Sequence, residues 1–358
     1  MTTQHHDDPA LQELYADFEQ HNLLPLWTQR EDLMPLVPTP SAVAHRWRWA
    51  DLYPLAVRSG TLVPVGRGGE RRAIALANPG LAGEPHATPT LWAAIQYLGP
   101  GEVAPDHRHS QNAFRFVLEG EGVWTVVNSD PVRMSRGDLL LTPGWAWHGH
   151  HNTTDQPMAW LDGLDIPLAS CLDANFFEFG PDDLVDRSTP RLSRAERLWA
   201  HPALRPVQGA AKGPHSPLAA YRWEHTDAAL RAQLELEDEG HSGAVEAGHA
   251  AVIFADPVTG GDALPTIRTE MHRLRPHANT ARTREVGSSV WQVFDGSGEF
   301  LLGDQAVGVE RGDVVTVPSW TPVQINAADS GLDLFRFSDT PVMEKLGYAR
   351  QQVAGETE

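Results

Sequence analysis

The chain of 358 residues is long enough for two ordinary domains, and a hydrophobic content of 41% can bury a core in each. Its 47 acidic and 28 basic residues give a net charge of −19, which argues against a nucleic-acid partner and against an anionic membrane surface. A small anionic substrate remains compatible with this charge, because a few arginines can dominate the field inside a cleft.

A single cysteine, Cys171, excludes a disulfide within the chain and a thiolate metal site. Residues 1–8 are polar and His-rich, no apolar export segment follows them, and no apolar run reaches the length of a membrane span. These features predict a soluble, cytoplasmic protein with no membrane partner.

Helical periodicity is limited to a few places. Apolar residues recur at i, i+3, i+4 and i+7 from Leu11 to Phe18, which predicts an amphipathic helix over residues 9–22. A second short helix is predicted from Ser193 to Ala200, and a third with Thr226 as its N-cap.

Short runs of β-forming residues, separated by turn residues, account for much of the remaining chain. Four strands are predicted, over residues 91–98, 114–118, 123–127 and 139–142. The 28 prolines and 31 glycines fall between such runs, which is typical of all-β proteins with many turns.

This strand pattern occurs twice. Residues 114–143 and 290–318 share the same order of apolar runs and glycines, and Gly137 aligns with Gly312 at a spacing of 175 residues. We therefore predict an internal duplication that forms two β-barrel domains, joined by a linker with some helix.

Two histidine groups in the first copy have the spacing of a metal site. His107 and His109 are separated by one residue, so on a strand both imidazoles lie on one face. His148 can complete a facial set of three from a distant strand of the same barrel. Neutral imidazoles bind iron, zinc, copper or nickel and leave further coordination positions open. With 17 histidines in the chain the pair alone is weak evidence, but its fixed setting between glycines and prolines favours a metal site.

The glycine, histidine and proline spacings from Gly101 to Gly120 and from Gly137 to Asn152 resemble the two motifs of the cupin superfamily. This resemblance implies an all-β bicupin, with two double-stranded β-helix (jelly-roll) barrels and a few flanking helices. Many cupin metal sites have a Glu ligand at the position of Ala113, so the resemblance implies a three-histidine centre without a protein carboxylate.

Longer stretches are similar to gentisate 1,2-dioxygenases and to relatives that act on salicylate or 1-hydroxy-2-naphthoate. The resemblance covers residues 40–345 and is most specific in LWAAIQYLGPGEVAPDHRHSQNAFRFVLEGEG and GDLLLTPGWAWHGHHN. It implies Fe(2+), dioxygen, a small aromatic acid, and cleavage between the carboxyl-bearing and hydroxyl-bearing ring carbons. It also implies a homo-oligomer, with a tetramer favoured. Gentisate, opened to maleylpyruvate, is the predicted substrate, and salicylate, a 5-substituted salicylate or 1-hydroxy-2-naphthoate is the alternative.

The same alignment divides the chain into five parts. These are an N-terminal helical arm with leading strands (1–84), a metal-binding cupin 1 (85–180), a linker with helices (181–250), a cupin 2 (251–345) and a tail (346–358). The aligned ligand positions of cupin 2 are Thr283, Glu285 and Val323, so this barrel is expected to hold no metal.

Arginines are expected to neutralise the substrate carboxylate, because a planar guanidinium matches it with paired hydrogen bonds. Arg115 is the leading candidate, since it lies six residues after His109 on the same face of an extended run. Arg67 and Arg71 resemble the family's substrate-contacting arginines, whereas Arg72 is expected to point the other way.

Trp92, Ala94 and Gln96 share one face of the first predicted strand. On a pocket wall, Trp92 would flank the aromatic ring, Gln96 would hydrogen-bond a ring substituent, and Ala94 would narrow the pocket towards single rings.

His150 and Asp162 resemble family residues close to the metal and are the predicted catalytic pair. A histidine with a carboxylate partner can shuttle a proton, or hydrogen-bond dioxygen and the substrate hydroxyl. His151, on the opposite face of the strand, is expected to be a bystander.

Two other classes of function stay open from the sequence. One is a cupin isomerase or decarboxylase that uses manganese or zinc, and the other is a non-catalytic binding bicupin. Ala113 in place of a Glu ligand and the arginines near the motif both favour the oxygenase.

Overall fold

The computed structural model describes residues 8–65, 72–180, 188–207 and 213–353. These belong to two compact units, Met1–Thr39 and Pro40–Glu358. The described helices are too short or too polar to cross a membrane.

The first unit contains two helices, α1 (Pro9–Gln20) and α2 (Leu26–Leu33). The Asp8 carboxylate caps α1 by accepting from the Ala10 N–H, and the Trp27 indole donates to the Tyr15 hydroxyl at 3.1 Å. The amphipathic helix predicted over residues 9–22 is thus confirmed, with its end at Gln20.

The described part of the second unit is mostly β-structure, with five helices. The helices are α3 (Trp49–Leu62), α4 (Ile166–Cys171), α5 (Arg194–Trp199), α6 (Trp223–Asp238) and α7 (Thr340–Leu346). The strands are β1 (His45–Trp47), β2 (Ala73–Ala75), β3 (Trp92–Leu98), β4 (Val103–His109), β5 (Ala113–Glu119), β6 (Glu121–Val127), β7 (Asp130–Ser135), β8 (Leu139–Thr142), β9 (His148–Asn152), β10 (Met158–Leu164), β11 (Phe177–Phe179), β12 (Ala220–Tyr221), β13 (His249–Ile253), β14 (Arg268–Leu274), β15 (Thr283–Glu285), β16 (Ser289–Leu302), β17 (Gln305–Glu310), β18 (Val314–Val317), β19 (Val323–Ser338) and β20 (Gln351–Val353).

The first barrel consists of two antiparallel sheets. One has the order β12-β8-β5-β10-β3-β2 and the other has the order β11-β4-β9-β6-β7. Side chains from both sheets form one buried cluster, which includes Val117 and Trp160 from the first and Val123 and Met134 from the second. The two sheets therefore face each other around a common interior, as expected for a jelly roll.

The second barrel is a single nine-stranded sheet on the path β1-β18-β16-β19-β14-β13. Its long strands β16 and β19 pair along almost their whole length, with register shifts near Val293 and Gly296 that let the sheet turn. A separate buried cluster around Trp291, Phe300 and Leu334 fills this barrel.

Aromatic residues join the two barrels. The rings of Phe116 and Phe335 stack with centroids 4.0 Å apart, and Phe114 meets Phe337 edge-on at 4.9 Å. All four side chains are fully buried, so the two barrels share one hydrophobic core.

The duplication is visible in equivalent contacts that cross between the copies. β1 pairs with β18 of the second barrel, and β12 pairs with β8 of the first. Gly137 and Gly312 both have positive φ. A Cβ on Gly137 would lie 2.8 Å from Trp223, the first residue of α6, and a Cβ on Gly312 would lie 2.2 Å from Trp49, the first residue of α3. Each glycine therefore leaves room for the tryptophan that begins the helix before the other barrel.

Two predictions on the helices have different outcomes. The helix predicted from Ser193 is confirmed as α5, where Ser193 and Glu196 form a capping box. The prediction that Thr226 caps the next helix is wrong, because α6 already begins at Trp223. The Trp223 N–H donates to the carboxylate of Asp138, which is 85 residues away in sequence, so a side chain of the first barrel caps this helix.

Candidate metal centre and active site

Strands β4 and β9 bring three histidines together. His107 and His109 lie two residues apart on β4, and His107 is directly opposite His148 on β9. One ring nitrogen from each of the three lies within 4.8 Å of the others, a spacing that can hold a metal ion. Within the described residues, this is the one group of His, Cys, Asp and Glu side chains that converges in this way.

Backbone carbonyls fix the tautomer of all three rings. The Nδ1 atoms of His107, His109 and His148 lie 3.0, 2.9 and 2.9 Å from the carbonyl oxygens of Pro105, Gln111 and Ala146, respectively. A carbonyl oxygen only accepts, so each Nδ1 carries the hydrogen and each Nε2 presents a lone pair to the shared centre.

Burial disfavours the protonated form of two of these imidazoles. It lowers the pKa of His109 to about 4 and that of His148 well below its usual value, with smaller contributions from His107 and Arg115. Nε2 of His148 is buried and has no described hydrogen-bond partner. A neutral, inward-facing nitrogen left without a partner is what a metal ligand requires, so the three residues fit a metal ion.

The position of Ala113 offers no fourth ligand. Ala113 is the first residue of β5 and is almost completely buried, at 1% exposure. A methyl group at this position adds no ligand atom to the three-histidine group.

A cavity of about 450 Å³ opens onto His107 and His109. Its lining consists of Ala73, Trp92, Gln96, His107, His109, Gln111, Arg115, Asp162, Leu164, Ile166 and Phe177. Apolar and aromatic side chains combined with converging polar groups are typical of a site for a small organic ligand.

Arg115 lines this cavity, but the reasoning that placed it on one extended run with His109 is wrong. β4 ends at His109, and β5 begins after the break at residues 110–112 and belongs to the opposite sheet. Arg115 reaches the cavity because the two sheets face each other across the barrel. Its guanidinium donates to the Thr142 hydroxyl and lies 3.6 Å from the carboxylate of Asp162.

Asp162 is directly opposite Arg115 on β10. Its Oδ1 accepts from the Trp160 indole N–H at 3.0 Å. Burial raises the pKa of Asp162 to about 6, although Arg115 and the indole pull it down. The Arg115 guanidinium is therefore buried at the cavity wall, and Asp162 and Thr142 fix its position.

One face of β3 was predicted to line a pocket, and the residues at its two ends line the cavity. Trp92 and Gln96 are lining residues, and Ala94 is fully buried between them on the same face of the strand. A single methyl group therefore separates the two lining side chains at the middle of this wall.

His150 lies on the same face of β9 as His148, with ring centroids 6.4 Å apart. Its Nδ1 is 2.9 Å from the Thr125 hydroxyl, and its ring lies 5.3 Å from that of Trp160 on the opposite sheet. The expected carboxylate partner is therefore replaced by a threonine, and Asp162 instead pairs with Arg115. His151 is buried beside it in β9.

The remaining arginine predictions divide into two groups. Arg67 and Arg71 lie outside the described residues. Arg72 is directed away from the cavity, since its guanidinium bonds the carboxylate of Glu102 and the carbonyl oxygens of Val63 and Tyr97.

Sequence reasoning missed Phe177. Its strand β11 adds to the edge of β4, which brings the Phe177 ring over His107 with centroids 5.3 Å apart. An ion pair of 2.6 Å between Arg108 and Glu178 fastens the same two strands. The aromatic residues at 176, 177 and 179 are typical of a strand, but they do not indicate which strand β11 pairs with.

The second barrel repeats the backbone of this site with different side chains. Thr283 pairs with Val323 as His107 pairs with His148. Glu285, aligned with His109, bonds the guanidinium of Arg336, which also bonds Glu270. An internal ion cluster therefore lies where the first barrel has its histidines.

His272 and His249 lie beside this cluster, with facing ring nitrogens 3.0 Å apart. Burial lowers the pKa of His272 to about 3. An unfolded histidine protonates near pH 6.5, so the stability that the neutral buried ring contributes is complete above that pH and is lost as the pH falls towards 3.

We expect His272→Gln to make the protein less sensitive to acid. At pH 5 the wild type should have lost about 2 kcal/mol of stability through this ring relative to pH 7.5, and the variant should not. The measurement is the change in the free energy of unfolding between the two pH values for both proteins. Equal changes would show that His272 is not held neutral.

The fold and this site define a bicupin with a three-histidine group that could hold a metal ion. A model of the cupin domain matches residues 94–164. The chain is 64% identical to a gentisate 1,2-dioxygenase from a Streptomyces species, over 98% of this chain and 97% of the relative. It is 34% identical to a 5-aminosalicylate 1,2-dioxygenase from a Comamonas species, over 96% and 90%. The crystal structure of salicylate 1,2-dioxygenase from Pseudoaminobacter salicylatoxidans with gentisate superposes with a TM-score of 0.96 at 58% identity, covering 99% of this chain and 97% of that chain. The chain belongs to the gentisate 1,2-dioxygenase family.

Proposed function

We propose that this protein is a ring-cleaving dioxygenase that opens gentisate between its carboxyl-bearing and 2-hydroxyl-bearing carbons. The observation that carries the proposal is a cavity lined by two of three converging histidines, His107 and His109, and by the buried arginine Arg115. Family membership supports the same reaction.

The metal of the site is proposed to be Fe(2+), held by His107, His109 and His148. Three neutral ligands fit a divalent cation and leave positions for exogenous ligands. Ferrous iron would supply a template for substrate and dioxygen and a path for electrons between them.

Each polar or aromatic residue of the cavity is proposed to contact a different part of the substrate. Arg115 is proposed to neutralise the substrate carboxylate in a site where water does not compete. Trp92 is proposed to flank the aromatic ring, and Gln96 to hydrogen-bond one of its substituents. Arg67 and Arg71 are proposed as further carboxylate contacts on the strength of the family resemblance alone.

His150 and Asp162, which both contact Trp160, are proposed to assist the reaction. Asp162 holds Arg115 in place. His150 lies inside the barrel near His148, where it can hydrogen-bond the substrate hydroxyl or dioxygen.

The choice of gentisate over its analogues is the finer part of the proposal. The 5-hydroxyl of gentisate makes its ring easier to oxidise than that of salicylate. A 5-substituted salicylate is the main alternative, since the names of relatives include 5-aminosalicylate and salicylate dioxygenases.

Ala94 is proposed to limit the cavity to single rings. We expect Ala94→Gly to raise kcat/KM for 1-hydroxy-2-naphthoate relative to gentisate by about tenfold, the effect of one methyl group on pocket discrimination. Ala93→Gly is the matched control, because it removes a methyl from the same strand on the face buried between the barrels. An equal shift in both variants would contradict a specific role for Ala94.

The second barrel is proposed to have a structural role. The domain boundaries are proposed to be those predicted from the sequence, 85–180 for cupin 1 and 251–345 for cupin 2. We further propose that the protein acts in the cytoplasm as a homo-oligomer, a tetramer by resemblance to the family.

Metal content and a substrate panel test the proposal. Protein loaded anaerobically with ferrous iron should cleave gentisate with the highest kcat/KM among gentisate, salicylate, 5-aminosalicylate and 1-hydroxy-2-naphthoate. A different ranking would change the substrate assignment. Stoichiometric manganese or zinc in the purified protein, with no cleavage of any of the four, would favour the isomerase or decarboxylase. Absence of any bound metal would favour the binding bicupin.

A further inference from the structure

Four histidines share the interior of the first barrel, and only three have a carbonyl partner at Nδ1. The fourth, His150, meets the hydroxyl of Thr125 at 2.9 Å. A hydroxyl can donate or accept, so this contact alone leaves the tautomer of His150 undetermined.

A third side chain distinguishes the two arrangements. The Thr125 hydroxyl also lies 3.1 Å from the sulfur of Met134, and in a hydrogen bond between them the hydroxyl is the donor because a thioether can only accept. The hydroxyl has one hydrogen, so both close contacts are hydrogen bonds only if that hydrogen goes to sulfur and His150 Nδ1 donates to the hydroxyl oxygen. If the hydrogen goes to His150 instead, the contact with sulfur has no hydrogen in it.

The three residues come from neighbouring strands in a fixed register. Thr125 on β6 is directly opposite His150 on β9, and Met134 is on β7, the next strand in the same sheet. Thr125 and Met134 are completely buried and His150 is 1% exposed. Among the described residues, the only acceptors in contact with the Thr125 hydroxyl are therefore the Met134 sulfur and His150 Nδ1.

We propose that Thr125 and Met134 are positioning residues that fix neutral His150 as its Nδ1–H tautomer, so that its Nε2 lone pair faces the barrel interior. Nε2 is buried and has no described hydrogen-bond partner. A buried lone pair left open in this way accepts a hydrogen bond from a bound molecule.

This inference rests on the proposed function for the identity of that molecule. The donor it assigns is the hydroxyl of the ortho-hydroxybenzoate, next to the carboxylate that Arg115 would bind. His150 would then hydrogen-bond the substrate as an acceptor, and it would not donate a hydrogen bond to dioxygen.

The test reads the tautomer directly. Protein labelled with ¹⁵N at histidine is loaded with zinc, which is diamagnetic, and two-bond ¹H–¹⁵N correlations distinguish an Nδ1–H ring from an Nε2–H ring. His150→Gln identifies the signal, and a second spectrum after chelation removes any influence of the metal. The tautomer is measured without turnover, so a failure of this proposal can be told apart from a failure of the proposed reaction.

The variants separate the two positioning residues. Met134→Leu keeps a similar volume without the acceptor, Thr125→Val removes the hydroxyl, and Thr125→Ser restores it. We expect an Nδ1–H signal in wild type and Thr125→Ser, and a shift towards Nε2–H in Met134→Leu and Thr125→Val. The two shifted variants should also lose about tenfold in kcat with unchanged metal content, as for one lost hydrogen bond.

Two results would overturn the proposal. An Nε2–H ring in the wild type would mean that the hydroxyl donates to His150. An Nδ1–H signal unchanged in both Met134→Leu and Thr125→Val would mean that neither residue sets the tautomer.

Discussion

Replacing His107 with alanine should abolish both iron binding and ring cleavage. The change removes one of three nitrogens that lie within 4.8 Å of one another, and no carboxylate stands at Ala113 to take its place. Two histidines on neighbouring strands cannot hold the ion in a facial set with the open positions that substrate and dioxygen require. Iron per chain and oxygen uptake with gentisate are the two measurements.

The control for this variant is His225→Ala. His225 is an exposed histidine on α6, so its loss should leave both iron content and turnover unchanged. Cleavage at the wild-type rate by His107→Ala protein shown to lack iron would contradict the role of the three-histidine centre. A normal unfolding transition would show that the loss is local.

Replacing Arg115 with alanine should raise KM and lower kcat for gentisate while iron stays bound. Arg115 is buried at the cavity wall between Asp162 and Thr142, so its loss leaves the substrate carboxylate without its partner in a dry site. Leaving such a charge unpaired costs about 3 kcal/mol, or about a hundredfold in kcat/KM.

Two further variants make this result specific. Arg115→Lys keeps the charge but not the planar fork, and it should recover only part of the activity. Arg231→Ala breaks an exposed arginine–aspartate pair on α6, and it should have no effect on kcat/KM. Unchanged kcat/KM in Arg115→Ala would remove this residue from the substrate site.

Local patterns in the sequence were sufficient to predict that three histidines converge. His107 and His109 fall on one face because a strand has a period of two, and the motif around His148 marks a second strand of the same barrel. The face of Trp92 and Gln96 followed from the same alternation, whereas His150 was predicted from the family resemblance.

Long-range contacts explain what the sequence could not predict. Arg115 was expected near the metal for the wrong reason, because the chain turns between β4 and β5 and the contact arises from two facing sheets. Phe177 was missed since three residues carry too little pattern to predict a strand or its partner. The start of α6 was misplaced because its cap is Asp138, which only the folded chain brings near.

Four helices, α2, α3, α4 and α7, were not predicted from the sequence, and α3 was missed for a local reason. α3 contains Pro54 in its interior and has no side-chain cap at Arg48, so two of the usual markers of a helix are absent. Packing stabilises it instead, since Leu52 and Ala56 are buried in the core that both barrels share.

The most direct test of the central claim is the stoichiometry of a single reaction. Protein reconstituted anaerobically with ferrous iron is mixed with a limiting amount of gentisate in oxygenated buffer, and oxygen uptake and loss of the aromatic absorbance are recorded together. We predict one dioxygen consumed for each ring opened, with both signals absent in His107→Ala. Oxygen uptake without loss of the ring, or no uptake by protein that contains iron, would contradict the assignment of this bicupin as a gentisate-cleaving dioxygenase.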